Sequence, residues 1–342
     1  MQQPDAQQIA ALLPNAAPFT LDTLPGDASN RRYFRVHQGD ASFILMQLAA
    51  AEGFKKSEEA VTGEVPVEEL PFLNMQRYLT RAPIPVPAIV GQDMDAGLIL
   101  LEDFGDRSLM AAIEGRPEED VTALYWEAVD HLAMMQRATP LDDGCVASHR
   151  TYTEELLIWE FHHYVEYGIE ARYRTLVPPD QKQVLDDYFG RIAREIASLP
   201  QVLVHRDYHS RNIMVRPSGH LGIIDFQDAL MGPATYDLAS LIWDPYVTLP
   251  EGVAEDLTAR YWVQAPVKLD KNFPRALNLT AFQRLLKAAG RFVYIDRVKG
   301  NPKFLADVPT CLARARWLLS RHDDLAPLAR TLAELDAEMG SA

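Results

Sequence analysis

Two segments carry residues that could do chemistry together. VHRDYHSRNIMV, residues 204–215, and GIIDFQDALMG, residues 222–232, each set an aspartate in or beside an apolar run. The first adds Asn212 five residues after Asp207, and the second supplies Asp225. The apolar flanks read as strands, with Asp207 and Asn212 at the two ends of one short loop. The turn RPSGH then joins the strand leaving that loop to the strand that ends at Asp225. Asp225 therefore emerges beside Asn212, and two carboxylates converge with an amide oxygen. An oxygen-only set of this kind suits Mg²⁺, which takes one or two carboxylates and completes its shell with substrate phosphates. Each residue alone reads as a turn cap. Three together, at this spacing and between apolar flanks, do not.

The order H-x-D-x-x-x-x-N, then a hairpin, then D-F, is the phosphoryl-transfer pattern of protein-kinase-like enzymes. In that template Asp207 accepts the proton of the attacking hydroxyl, while Asn212 and Asp225 hold Mg²⁺ on the nucleotide phosphates. A metal suits a transition state that spreads negative charge over phosphoryl oxygens, and a weak carboxylate base suffices for a neutral hydroxyl nucleophile.

HRDYHSRN, IDFQDALMGPATYDLAS and GDASNRRYFR resemble the aminoglycoside phosphotransferase superfamily over about residues 20–320. Within it the chain is most similar to the anomeric sugar kinases that phosphorylate N-acetylmuramate and N-acetylglucosamine on the C1 hydroxyl in cell-wall recycling. The resemblance implies an α+β, bilobal, protein-kinase-like fold: a small N-terminal lobe built on an antiparallel sheet, then a larger, mainly helical C-terminal lobe. It implies ATP and Mg²⁺ as cofactors, a small-molecule partner that is an amino sugar, Asp207 as base, and Asn212 and Asp225 as metal ligands. His209 and Arg211 match loop positions that support or contact phosphate. Asp237 matches the aspartate that holds the catalytic loop through its backbone, and His205 reads as scaffold. Asp228 either supports the site from behind or approaches the sugar. Kinases of the aminoglycoside, choline or homoserine type share the fold, and a non-catalytic nucleotide-binding pseudokinase is the alternative of a different class.

The elements that must position these residues are legible in outline. Residues 5–13 read as a short amphipathic helix, and 19–49 as three strands of an antiparallel meander. Residues 66–80 show helical spacing, the Pro-rich 81–89 is extended, and GLILLED is a buried strand. After about residue 103 helical patterns take over at 117–138, 151–173 and 179–198. They resume after the β-rich 202–226 at 235–247, 251–264, 274–298 and from 305 onward. This gives a nucleotide-binding lobe over 1–102 and a catalytic and substrate-binding lobe over 103–342.

The turn PGDASN would lie over the triphosphate, so Gly26, Ser29, Arg31 and Arg32 are candidate nucleotide contacts. LILLED is the hinge, with Glu102 at its end. The template's strand-three lysine is absent: SFILMQLA places Met46 there. Arg31, Arg32 or Arg35 on the neighbouring strand would then supply the charge. Glu68 or Glu69 is the candidate for the helix glutamate that normally pairs with that lysine, or else belongs to a solvated helix face.

On the substrate side, the aromatics of WEFHHY (Trp159, Phe161, His162, His163 and Tyr164) read mostly as core. WDPY is the better sugar platform, with Trp243 and with Asp244 left free by the helix break at Pro245. No dense acidic cluster stands in 150–175, where an aminoglycoside would need one.

Bulk properties limit partners further. The chain has 342 residues, 48% of them hydrophobic, and a formal charge of −15. So acidic a chain repels nucleic acid and anionic membranes. Cys145 and Cys311 form no metal or redox motif, which suits reduced, packed thiols. The N-terminal segment has no basic stretch followed by an apolar core, and no apolar run reaches a membrane-spanning length. Those features predict a cytoplasmic protein.

Overall fold

The computed structural model describes residues 4–24, 31–48, 68–138 and 141–340. Its N-terminal part is a five-stranded antiparallel sheet. The strands are β1 (Thr20–Thr23), β2 (Arg32–Gln38), β3 (Ala41–Gln47), β4 (Ile89–Asp93) and β5 (Leu98–Glu102), in the order β1-β2-β3-β5-β4. Strand alternation sends Phe34, Val36 and Leu45 to one face, where they pack with Ile9 of α1 (Ala6–Leu12). Met46, Ile99 and Leu101 point to the other face, with α2 (Pro71–Leu79). Helix α2 starts five residues later than its periodicity suggests, at Pro71, whose fixed φ suits the first turn.

The remainder is mostly helical: α3 (Leu109–Ile113), α4 (Glu118–Arg137), α5 (Glu154–His163), α6 (Pro179–Ala197), α7 (Tyr236–Ile242), α8 (Val253–Gln264), α9 (Phe273–Lys299), α10 (Val308–Leu319), α11 (Ala326–Leu335) and α12 (Ala337–Gly340). The single helix expected over 151–173 is instead α5 followed by a π-helical turn over Tyr164–Ala171. There a Cβ on Gly168 would meet the Tyr164 ring at 2.3 Å, so only glycine allows the wider turn to close on that ring. The helix expected from 305 onward is broken into α10, α11 and α12, with prolines in the first turns of α10 and α11. The helix expected over 235–247 ends at Ile242.

Two hairpin-like pairs sit among the helices. β7 (Ile213–Val215) pairs with β8 (Leu221–Ile223), as the RPSGH turn suggests. β6 (Gln201–Val204) pairs with β9 (Leu230–Pro233), a strand hidden in a Gly- and Pro-containing stretch. The two parts of the molecule are tied at the end of β5. Arg35 reaches Asp103 at 2.7 Å and Asp106 at 2.7 Å, and Arg216 reaches Glu102 at 2.9 Å. Gly222 gives the Phe104 ring room to pack there, since a Cβ would lie 2.4 Å from it. Among the described residues no helix is long and apolar enough to cross a membrane.

Candidate active site

The loop between β6 and β7 is built to hold its shape. Leaving β6, the backbone turns through a left-handed residue, Arg206, at φ 82°. Asp237, at the start of α7 and fully buried, accepts the His205 N–H at 2.6 Å and the Arg206 N–H at 3.0 Å. Burial pushes Asp237 up to about 6, against the pull of His205, those two amides and Arg284. Arg284 of α9 donates to the Arg206 carbonyl at 2.8 Å. Across the loop, Asn212 donates its side-chain amide to the Asp207 carbonyl at 3.0 Å and to Asp225 Oδ2 at 3.4 Å. The Ile224 N–H donates to the Asn212 carbonyl at 3.0 Å, which fixes β8 to the loop end. Asp225 follows in a left-handed conformation, φ 67°, rare for a non-glycine and a common mark of a functional position.

Asp207, Asn212 and Asp225 thus converge on one cleft of about 550 Å³. Burial would raise the Asp207 carboxyl, but Lys287, His209, Arg284 and Arg206 outweigh it and hold Asp207 well below the usual carboxylate range. Asp225 moves the other way, raised by burial and by the charge of Asp207 against the hydrogen bond from Gln227. Burial also lowers His209, against the pull of Asp244 and Asp207. Among the described residues no group of three or more His, Cys, Asp or Glu could hold a metal by itself. The donor set here is one carboxylate and one amide, the kind that takes Mg²⁺ only together with phosphate oxygens.

The other sequence candidates on the substrate side fall into four groups. Arg211 and Trp243 line the cleft. Asp228 accepts from Gln227 Nε2 at 3.3 Å, while that same nitrogen donates to Asp225 Oδ1 at 2.9 Å, so Asp228 stands behind Asp225. Asp244 is corrected. It is only 1% exposed, and its carboxylate accepts the Ser210 N–H at 2.8 Å and the Tyr246 N–H at 2.8 Å. The break at Pro245 frees no carboxylate for a hydroxyl, because the β6–β7 loop itself takes it. None of Trp159, Phe161, His162, His163 and Tyr164 lines the cleft; Phe161 and Tyr164 are core.

On the nucleotide side, Gly26 and Ser29 lie outside the described residues. Arg35 pairs with Asp103 and Asp106. Arg32 lies over the Phe34 ring, on the α1 face of the sheet and not the face that carries Arg35. Arg31 precedes β2. Glu102 donates its N–H to the Ala88 carbonyl at 2.8 Å, and its carboxylate binds Arg216 and the Ala88 N–H. These bonds tie the end of β5 to its neighbours. Met46 is fully buried. Glu69, just before α2, accepts from Asn74 at 2.8 Å and pairs with Arg77 at 2.6 Å, both on α2.

Sequence reasoning missed the wall opposite the loop. Helix α9 turns Arg284, Lys287 and Arg291 to the cleft. Lys287 is anchored by the fully buried Glu160 at 2.6 Å and lies 3.1 Å and 3.2 Å from the hydroxyls of Tyr152 and Tyr236. Gly290 lets α9 approach this closely, since a Cβ there would stand 2.8 Å from the Tyr164 Cα. The spacing 284, 287, 291 on one helical face was the available signal.

The family model described as the phosphotransferase enzyme family (APH) matches residues 20–269. The chain belongs to this family. It is a phosphotransferase, and its fold is the kinase-like α+β fold. N-acetylmuramate/N-acetylglucosamine kinase of Pseudomonas putida is 32% identical over 325 residues, covering 93% of this chain and 89% of the relative. The protein of the same name from Neisseria meningitidis is 29% identical over 93% of this chain and 91% of its own length. Among solved structures, the ADP-bound aminoglycoside phosphotransferase APH(2'')-Ib superposes with TM-score 0.59 at 14% identity, over 91% of this chain and 97% of that one. Choline kinase LicA from Streptococcus pneumoniae gives TM-score 0.59 at 14% identity, over 92% and 97%. These last two bear on fold alone.

Proposed function

We propose that this phosphotransferase uses ATP and Mg²⁺ to phosphorylate an amino sugar, N-acetylmuramate or N-acetylglucosamine, on its anomeric C1 hydroxyl. In this reading residues 1–102 form the nucleotide lobe and 103–342 the catalytic and substrate lobe. Asn212 and Asp225 would hold Mg²⁺, which when bound offsets charge developing on the transferred phosphoryl oxygens. Asp207, ionised at neutral pH, accepts the proton of the C1 hydroxyl as its oxygen bonds phosphorus and the bond to the departing ADP oxygen breaks. The loop bonds from Asp237, Asp244 and Arg284 keep Asp207 in place so that no loop ordering is needed during transfer.

The charge of the cleft carries the choice of acceptor. Among the described residues its charged lining, besides Asp207 and Asp225, is Arg211, Arg284, Lys287 and Arg291. A polycationic aminoglycoside or a quaternary amine would meet four cations there and no acidic wall, whereas a neutral or anionic sugar would not. The names of the curated relatives agree with that chemistry. The test is coupled ADP release with Mg-ATP against N-acetylmuramate, N-acetylglucosamine, glucose, choline, homoserine and kanamycin. Release with the amino sugars is expected; release only with kanamycin or choline would overturn the reading.

A further inference from the structure

Behind the α9 wall of the cleft lies a buried charged network. Glu160 of α5 is fully buried, and its Oε1 takes Lys287 Nζ at 2.6 Å and the Tyr152 hydroxyl at 2.7 Å. Its Oε2 accepts from Gln283, one turn before Lys287 on α9, at 2.7 Å. The Tyr152 and Tyr236 hydroxyls stand 2.5 Å apart, and Lys287 Nζ lies 3.1 Å and 3.2 Å from them. An ammonium has three N–H donors, and these three oxygens lie within their reach. Arg284 lies over the Tyr236 ring at 4.2 Å while it donates to the Arg206 carbonyl, which joins the network to the residue before Asp207. Burial would raise the Glu160 carboxyl, but Lys287 and Arg206 outweigh it, so the pair is ionised. A buried ion pair is a poor source of stability, because desolvating both ends offsets their attraction, and apolar side chains would join α5 to α9 as well. This pair has one end at the cleft: Lys287 lines it together with Asp207, whereas Glu160, Tyr152 and Tyr236 lie behind. Against the burial of Asp207, Lys287 pulls hardest of the cations around it.

We propose that Lys287 is a positioning residue for phosphoryl transfer: Glu160, Tyr152 and Tyr236 hold its ammonium still, and its fixed charge draws the Asp207 carboxylate to the α9 side of the cleft, where the acceptor hydroxyl meets it. The inference rests on the reading of Asp207 as the proton acceptor. Lys287 acts through Asp207 and not as a ligand of sugar or nucleotide, since its donors turn to Glu160 and the two tyrosines.

The experiment removes both charges of the pair at once, because Lys287→Met alone strands the buried Glu160 and lowers Tm whatever the role of the lysine. Glu160→Gln/Lys287→Met keeps the shape and leaves no unpaired charge, so its Tm should return to near that of wild type. Its kcat for N-acetylglucosamine with Mg-ATP should stay about ten- to hundredfold low, the cost of a displaced catalytic group, with the KM values for sugar and ATP close to those of wild type. Added to Asp207→Ala, the same two changes should lower the residual kcat no further, because their effect runs through that carboxylate. If the double variant melts early all the same, Tyr236→Phe, which takes one oxygen from Lys287, decides. A kcat about two- to tenfold low at unchanged KM supports the inference, and an unchanged kcat refutes it. A kcat restored together with Tm, a raised KM as the main effect, or a further fall in the Asp207→Ala background also refutes it, while the amino-sugar reading stands. Full turnover by Asp207→Ala removes the base reading and the inference with it. If wild type phosphorylates neither N-acetylmuramate nor N-acetylglucosamine, the amino-sugar reading and the inference fail together.

Discussion

Replacing Asp244 by alanine separates a loop anchor from a substrate ligand. Its carboxylate is the acceptor for two backbone donors, the N–H groups of the fully buried Ser210 and of Tyr246. Alanine strands both. A buried donor left unsatisfied costs about 1–3 kcal/mol, so the pair costs about 2–6 kcal/mol. A chain of 342 residues unfolds with an entropy of about 0.7 kcal/mol/K, which makes this a fall of about 3–8 °C in Tm. Because Ser210 lies between Asp207 and Asn212, the freed loop should also lose its working geometry, and kcat should drop on the order of 10²-fold. Asp244→Asn keeps one carbonyl oxygen and should lose about half as much stability as alanine. The assay is thermal melting beside steady-state kinetics on one preparation. An unchanged Tm with a raised KM for the sugar would refute the reasoning and return Asp244 to the substrate.

Two further predictions follow from the same loop. Asp207→Ala should lower kcat by about 10²–10⁴-fold, the usual worth of a positioned base, with nucleotide affinity retained, and Asp225→Ala should remove turnover by taking away a Mg²⁺ ligand; kinetics with nucleotide titration checks both, and retained activity in either contradicts the mechanism. Asp237 has a folded-state pKa raised to about 6 by burial, so its contribution to stability is greatest below the ordinary value near 3.8 and is lost as pH rises through 6. The stability of wild type minus that of Asp237→Asn, from urea unfolding, should therefore fall by about 3 kcal/mol between pH 4 and 7 and then level off; a difference that rises with pH contradicts the assignment.

What could be read from the sequence was local, and what could not was long-range. Asp207, Asn212 and Asp225 are legible because one loop and one hairpin bring them together within 19 residues of chain. The strands β2, β3 and β5 show their own alternation or apolar runs. Asp237 could be assigned to the loop backbone only through resemblance, and its bonds to His205 and Arg206 bear that role out. Asp244 reads as a free carboxylate because Pro245 announces a helix break, while nothing nearby announces that Ser210, 34 residues earlier, needs its carboxylate. β9 is hard to read because it is four residues long, holds a glycine and a proline, and pairs with β6, which is distant in sequence. Lys287 looks like one charge on a long helix until Glu160, 127 positions away, is seen beneath it. The split of the C-terminal helix follows from prolines that were visible in the sequence, Pro309 and Pro327, each in the first turn of a new helix.

The central claim is transfer to the anomeric oxygen, and ³¹P NMR of the reaction mixture with Mg-ATP and N-acetylmuramate tests it most directly. The account predicts a new phosphomonoester resonance coupled to the anomeric hydrogen, lost on mild acid treatment and absent with Asp207→Ala. A phosphate on any other hydroxyl, or ATP consumed to free phosphate alone, would contradict it.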